Sequence, residues 1–131
     1  MNNAVKEWIE YAQMDLTTCE QLDAVVVGKQ YRIICYHAQQ AAEKMLKALL
    51  VLFGEVKLVR THDLTTLLDL VSRYCGIKDG MVKYAQVLTP YAVNQRYPGG
   101  DDVDEVQAKI AIKYCREIFA WAMETIERYD G

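Results

Sequence analysis

The sequence has 131 residues, of which 18 are acidic, 15 are basic, two are proline and 52% are hydrophobic. This length and composition predict one folded domain over residues 1–131 and exclude a chain that is mainly disordered. The net charge of −3 argues against a general nucleic-acid binder, which carries a basic excess. A local basic patch stays compatible with this charge, because net charge says nothing about distribution.

The cysteines and the N-terminus predict a cytoplasmic protein. The thiols stand at positions 19, 35, 75 and 115 without a C-x-x-C pair, and this spacing suits neither a zinc site nor a disulfide framework. The N-terminus has no apolar signal region, and the longest nearly charge-free apolar run, 48–53, is too short to cross a bilayer. We therefore expect no membrane association and four buried or half-buried thiols.

Apolar residues at three- and four-residue steps predict a first helix that Gly28 interrupts. Its predicted buried face consists of Val5, Trp8, Ile9, Ala12, Leu16, Cys19, Leu22 and Val26. A second helix is predicted over 29–53, with Gly54 as its stop. Two helices of this length joined by a tight turn form an antiparallel hairpin.

Three more helices are predicted after this hairpin. The segment 61–63 offers N-cap groups for a third helix with apolar residues at 64, 67, 68 and 71, which ends near Gly76. A fourth helix begins near residue 78 and meets Pro90, which must kink it or begin a new turn. A loop follows at 97–100, and the acidic residues 101, 102 and 104 then favour the positive end of a last helix.

The last helix completes the predicted core. Its predicted buried face consists of Val103, Val106, Ile110, Cys115, Ile118, Phe119, Ala122 and Ile126. The side chains that we expect to be most buried in the whole molecule are Trp8, Leu16, Met45, Leu49, Ile118 and Phe119. The sequence contains no alternating run long enough for a strand, so the predicted fold is all-α, an up-and-down bundle of four or five helices whose long helices are antiparallel.

The second helix has two distinct faces. Its apolar arc consists of Ile34, Ala38, Ala41, Ala42, Met45, Leu46 and Leu49, and its polar arc of Tyr36, Gln40, Glu43, Lys44 and Lys47. The simplest interpretation of the polar arc is a solvated face with Glu43–Lys47 and Gln40–Lys44 pairs. The alternative is a binding surface for a phosphate.

In four places the sequence resembles the HEPN domain family (higher eukaryotes and prokaryotes nucleotide-binding domain). These places, in chain order, are Trp8 with Ala12 and Asp15-Leu16, the segment 38–50, Thr61-His62-Asp63-Leu64, and Arg96-Tyr97-Pro98. The resemblance implies a four- or five-helix bundle that is usually dimeric and often encoded beside a nucleotidyltransferase-fold partner.

The leading hypothesis from this resemblance is a binding module without cofactor or metal. It would hold a nucleotide or an RNA phosphate at Gln40, Lys44, Lys47, His62, Arg96 and Tyr97. His62 has a structural alternative, in which it orients the connection before the third helix. A structural adaptor that binds no ligand is the corresponding alternative for the whole protein.

Some members of the HEPN family are metal-independent RNases, which makes an RNase toxin of a toxin–antitoxin pair another alternative. Their motif is an arginine followed after four to six residues by a histidine, which moves protons while the arginine stabilises a phosphorane charge. Here Arg96 is followed at these positions by Asp101, Asp102 and Val103. The motif is broken, so we expect no catalytic residues.

A chance match to the same motif, Arg32 to His37, lies within the second helix. Five residues along a helix turn about 500°, so the two side chains diverge by about 140°. We therefore expect that the two cannot meet at one phosphate within a protomer, although a dimer could bring them together in trans. No P-loop, Gly-x-Ser-x-Gly or Glu-x-x-His motif occurs in the sequence.

Overall fold

The computed structural model describes residues 1–93 and 102–130, and in these ranges it contains helices and no strand. The helices are α1 (Asn3–Asp23), α2 (Tyr31–Leu52), α3 (Leu64–Val71), α4 (Met81–Leu88), a short 3-10 helix (Thr89–Ala92) and α5 (Glu105–Tyr129). The predicted all-α bundle is confirmed. Pro90 lies in the 3-10 helix, where the α-helical hydrogen-bond pattern of α4 has already ended.

The central element is α2, which packs against α1, α5 and α3. Its predicted apolar arc is fully buried, and every member has 0% exposure: Ile34, Ala38, Ala41, Ala42, Met45, Leu46 and Leu49. The alanines in this arc have short side chains, which let the neighbouring helices approach closely. This packing makes α2 the element that positions the site described below.

Ion pairs define the direction of the long helices. Asp23, at the end of α1, pairs with Lys29 just before α2 and with Lys109 near the start of α5. At the other end of the bundle, the amino group of Met1 pairs with Asp130, 3.0 Å away. Helix α1 therefore runs antiparallel to both α2 and α5.

The predicted stop at Gly54 is confirmed by its backbone geometry. The N–H of Glu55 donates to the carbonyl of Leu50 at 2.9 Å, and the N–H of Gly54 donates to that of Val51 at 3.0 Å. Gly54 has a φ of 99°, which lies in the left-handed region that favours glycine. This paired arrangement satisfies the last carbonyls of α2 and turns the chain toward α3.

The acidic start of α5 is also confirmed. The Asp104 side chain accepts from the N–H of Gln107 at 2.8 Å, and the Gln107 side chain accepts from the N–H of Asp104 at 3.0 Å. This reciprocal capping satisfies two backbone donors and fixes where α5 begins. The predicted loop at 97–100 and Asp101 lie outside the described residues.

The core differs from the prediction at its margins. Leu16, Met45, Leu49 and Ile118 are buried as predicted, whereas Trp8 and Phe119 are only partly buried and pack against the edge of the core. The prediction was wrong for Val26, which is 92% exposed. The physical reason is that α1 ends at Asp23, so residues 25–27 lie in a turn and no longer follow its buried face.

The predicted face of α5 was wrong in its first turns. Val106 is 66% exposed and Ile110 is 38% exposed, whereas Ala108, Ala111 and Ile112 are buried. Because the capping box fixes the start of the helix, the inward positions there are small residues that follow the phase of Cys115 and the later buried side chains. None of the helices in residues 1–93 and 102–130 is long and apolar enough to cross a membrane.

Candidate functional site

Two adjoining groups of polar side chains lie along α2, one facing α1 and the other facing the connection before α3. Together we call them the polar cluster. Its members are Asp15, His37, Gln39, Gln40, Glu43, Lys44, Lys47 and His62.

The first group is organised by Asp15 of α1, which is only 9% exposed. Its Oδ1 accepts from Nδ1 of His37 at 2.8 Å, and its Oδ2 accepts from Nζ of Lys44. The two donors are seven residues apart on α2 and therefore lie on the same face, two turns from each other. Asp15 thus joins α1 to α2 through two hydrogen bonds, one on each carboxylate oxygen.

The second group is organised by Glu43, which is 3% exposed. Its Oε1 accepts from Nδ1 of His62 at 2.7 Å and from Nε2 of Gln39 at 3.2 Å, and its Oε2 accepts from Nζ of Lys47 at 3.0 Å. The Gln39 amide also donates to the His62 carbonyl at 3.1 Å. This buried carboxylate is therefore paired on both oxygens, as the cost of burying a charge requires.

The interpretation of the polar arc as a solvated face was wrong for Glu43. The segment before α3 folds over this part of α2 and brings His62 onto the carboxylate. The predicted Glu43–Lys47 pair is present. The Gln40 amide donates to Gln39 at 2.7 Å and Lys44 donates to Asp15, so these contacts replace the predicted Gln40–Lys44 pair.

The cationic groups of the polar cluster keep part of their surface in solvent. The exposed fraction of the side chain is 23% for Lys44, 12% for Lys47 and 68% for His62. An ammonium group has three N–H donors, and each lysine uses one of them on its carboxylate. The ring of His62 binds Glu43 through Nδ1, which leaves Nε2 as the nitrogen available to a ligand.

The predicted ligand-binding residues divide into two sets. The structure brings Gln40, Lys44, Lys47 and His62 together in the polar cluster, whereas Arg96 and Tyr97 lie outside the described residues. Lys47 also lies against α1, with its Nζ 5.7 Å from the centre of the Trp8 ring. This distance is within the range of a cation–π interaction.

Sequence reasoning did not assign a site role to Asp15 or Gln39, which hold the cluster together. Asp15 carried a usable signal, because it is an acidic residue between Ala12 and Leu16 on the apolar face of α1. A carboxylate on a buried face needs a partner, and a basic or imidazole side chain on the facing helix is the expected one. Gln39 gave no such signal, since an uncharged amide next to an apolar arc fits many roles.

The chance pair of Arg32 and His37 is separated as predicted. Arg32 Nε lies 3.7 Å from a carboxylate oxygen of Asp102, just before α5, whereas His37 binds Asp15 on α1. The two side chains therefore face different carboxylates on different neighbouring elements. Within one protomer they do not converge on a common phosphate position.

The thiols and acidic groups offer no other obvious chemistry. Cys19, Cys35 and Cys115 are buried, and Cys75 is half-buried, which confirms the prediction. Burial raises the pKa of Cys19 and Cys35 to about 12 and also raises the pKa of Cys115, so these thiols stay protonated at neutral pH. Within residues 1–93 and 102–130, no group of three or more His, Cys, Asp or Glu side chains is arranged to hold a metal ion.

The comparisons with known proteins agree with this architecture. A model of the HEPN domain matches residues 5–126. The solved structure of TT1696 from Thermus thermophilus is 26% identical, with a TM-score of 0.80 over 94% of this chain and 98% of that one. The structure of ST0689, an archaeal HEPN homologue, is 25% identical, with a TM-score of 0.75 over 96% of this chain and 99% of that one.

A third solved structure shows the same fold at lower similarity. It is a HEPN domain protein, tm0613 from Thermotoga maritima, which is 21% identical with a TM-score of 0.59 over 96% of each chain. No curated protein sequence matches the chain.

Proposed function

Because the chain belongs to the HEPN domain family, we propose that it works as a helical binding module whose polar cluster holds a phosphate group of a nucleotide or RNA. The observation that carries this proposal is the anchoring of Lys44 and Lys47, each by a nearly buried carboxylate. An anchored ammonium has lost much of its side-chain freedom before the ligand arrives, so less entropy is lost on binding. Its remaining N–H donors suit the oxygens of a phosphate.

The charge balance of the polar cluster indicates what kind of binding to expect. Two carboxylates and two ammonium groups sum to zero when both histidines are neutral. The ligand would therefore be held by directed N–H donors and less by net positive charge. We expect modest affinity with a weak dependence on salt, unlike that of a protein that neutralises many phosphates.

The family also supports proposals about partners. We propose that the chain forms a homodimer and pairs with a nucleotidyltransferase-fold protein, as the resemblance to the HEPN family implies. The polar cluster would then present its ligand at or near that partner. Co-expression with a nucleotidyltransferase-fold protein encoded beside this chain, followed by size-exclusion chromatography, tests the pairing.

The phosphate proposal is tested by calorimetric titration of ATP and of a short single-stranded RNA into the purified protein. We expect Lys44→Gln and Lys47→Gln each to weaken binding about tenfold, because a charge-assisted hydrogen bond contributes about 1.5–3 kcal/mol. The control is Lys113→Gln, since Lys113 lies on the exposed face of α5. Thermal melting of each variant separates loss of binding from loss of folding.

Two results would contradict the phosphate proposal. The first is the absence of any heat of binding for both ligands. The second is equal affinity for the wild type and for both lysine variants. Either result would favour the structural adaptor, in which the polar cluster only joins α1, α2 and the connection before α3.

A further inference from the structure

A group of aromatic side chains lies at the end of the bundle where α2, α3 and α5 finish. Phe53 and Tyr74 are stacked, with ring centres 5.1 Å apart and planes 4° from parallel, and the Tyr129 ring meets Phe53 edge-on at 5.3 Å. We call these three residues the aromatic end. Although rings of this size usually contribute to a core, Tyr74 is 41% exposed and Tyr129 is 48% exposed.

The ring of Tyr74 is fixed in place at this exposed position. Its hydroxyl donates to a carboxylate oxygen of Glu55 at 2.6 Å, and this hydrogen bond is the main reason that the pKa of Tyr74 is raised. Phe53 supports one face of the ring. A half-exposed ring that is held on two sides is a preformed surface for stacking.

A cavity of about 210 Å³ lies beside this ring and shares Glu55 with it. Its lining is apolar in the interior and charged at the rim: Leu50, Leu58, Val59 and Leu70, with Glu55, Lys57 and Arg73. The acidic group at the rim is already engaged by Tyr74, whereas the two cations give the rim a net positive charge. The cavity has room for one planar ring system and is smaller than the pockets that enclose a drug-sized ligand.

We propose that the aromatic end and this cavity bind a nucleoside monophosphate. The base stacks on Tyr74 and contacts the apolar lining, and the phosphate is held by Arg73 and Lys57. Aromatic stacking accepts any planar base, and an arginine presents paired donors to phosphate oxygens. This site shares no residue with the polar cluster and does not rest on the function proposed for it.

The test follows the Tyr74 ring directly by nuclear magnetic resonance, with ring-labelled tyrosine and AMP as the probe. We expect saturable shifts of the Tyr74 ring signals with AMP. Ribose 5-phosphate, which has no base, should leave these signals unchanged. Tyr74→Leu, which removes the ring, should weaken AMP binding at this site at least about fivefold, because base stacking on an aromatic residue has this magnitude.

Matched variants separate the possible causes of a change. Tyr74→Phe keeps the stacking ring without the bond to Glu55 and should retain binding, and Arg73→Gln should weaken it. Tyr11→Leu alters another exposed tyrosine, on α1, and should have no effect. Lys44→Gln acts on the polar cluster and should leave the Tyr74 shifts intact, so the two proposals fail independently.

The proposal would be overturned by any of three results. These are the absence of Tyr74 shifts at about 10 mM AMP, a concentration that detects even millimolar affinity, equal shifts with ribose 5-phosphate, and unchanged AMP affinity in Tyr74→Leu. Circular dichroism of each variant confirms that the bundle is folded during the measurement.

Discussion

At the scale of single residues, Asp15 and Glu43 show how a small helical protein keeps two carboxylates nearly out of water. Each accepts hydrogen bonds from a lysine and a histidine, and each ties α2 to another part of the chain. Such a group contributes little to stability compared with an apolar residue of the same shape, but removing one partner leaves charges without compensation. The polar cluster should therefore be sensitive to single substitutions.

We predict that Asp15→Ala lowers the free energy of unfolding by about 3 kcal/mol, because it leaves Lys44 and His37 without their shared acceptor. The matched control is Glu20→Ala on the same helix. Glu20 pairs with Arg116 on the surface, and an exposed pair contributes only about 0.2–1 kcal/mol. Urea unfolding of both variants measures the difference, and equal losses would contradict the structural role given to Asp15.

A second residue-scale prediction concerns Asp63, the N-cap of α3. Its side chain accepts from the hydroxyl and the N–H of Thr65 at 2.6 and 2.9 Å, and the hydroxyl bond is the main reason that the pKa of Asp63 lies below its usual 3.8. Because the folded state favours the carboxylate, this contribution is present above about pH 4 and is lost as pH falls through the lowered pKa.

We therefore expect Asp63→Ala to lower the free energy of unfolding by about 1 kcal/mol at neutral pH, and we expect this loss to shrink below pH 4. Asp69→Ala is the control, since Asp69 lies on the exposed side of α3 and is not its cap. Urea unfolding at several pH values gives both quantities. A loss that stays constant down to pH 2 would show that the Asp63 carboxylate does not act through its charge.

At the scale of elements, the sequence was informative about the inner face of each helix and poor about what covers the outer face. The apolar arc of α2 could be read from a period of 3.6 residues, because burial there depends on the helix itself. Glu43 could not be placed in the same way. Its burial depends on a connection about twenty residues later in the chain that folds back and brings His62 onto it.

The N-terminal part of α5 illustrates a second limit. Val106 and Ile110 are more hydrophobic than Ala108 and Ala111, so a pattern based on hydrophobicity selected them for the core. The helix phase, fixed by the cap at Asp104, turns the alanines inward. Where a helix lies close to its neighbour, steric fit decides which residue is buried, and single-sequence periodicity does not contain that information.

The central position of α2 leads to an element-scale prediction. Leu49 has 0% exposure, so Leu49→Ala removes buried methyl groups and leaves a cavity, and we expect a loss of about 2–5 kcal/mol in unfolding free energy. Val82→Ala is the control, because Val82 of α4 is 53% exposed and should change stability by less than about 1 kcal/mol. Similar losses in the two variants would contradict the packing described for α2.

At the scale of the whole molecule, we predict a homodimer. The HEPN resemblance implies one, and the chain exposes more large apolar side chains than a small core absorbs, among them Tyr11 and Met14 of α1 at 51% and 61%. Light scattering should give twice the mass of the chain. A monomer at high micromolar concentration would refute the prediction.

The last prediction is that the purified chain alone does not cleave RNA. A positioned imidazole contributes about 10²–10⁴-fold to such a reaction, and the positions where the RNase motif requires a histidine hold Asp101, Asp102 and Val103 instead. The chance pair offers no replacement within a protomer, since Arg32 lies near Asp102 and His37 binds Asp15.

The experiment incubates the wild type, His37→Ala and Arg96→Ala with structured and with single-stranded RNA, and electrophoresis follows the products. We expect no cleavage by any of the three proteins. Cleavage that both substitutions abolish would instead indicate a composite site, with Arg96 and His37 acting together, and cleavage lost only in His37→Ala would point to the Arg32–His37 pair acting in trans across a dimer. Either result would favour the RNase toxin, because a binding module has no group placed to move the proton of the 2′-hydroxyl. An uncut RNA that still binds in the calorimeter is the outcome that the geometry of the polar cluster predicts, since its donors can hold a phosphate while both histidines are occupied at Nδ1 by carboxylates.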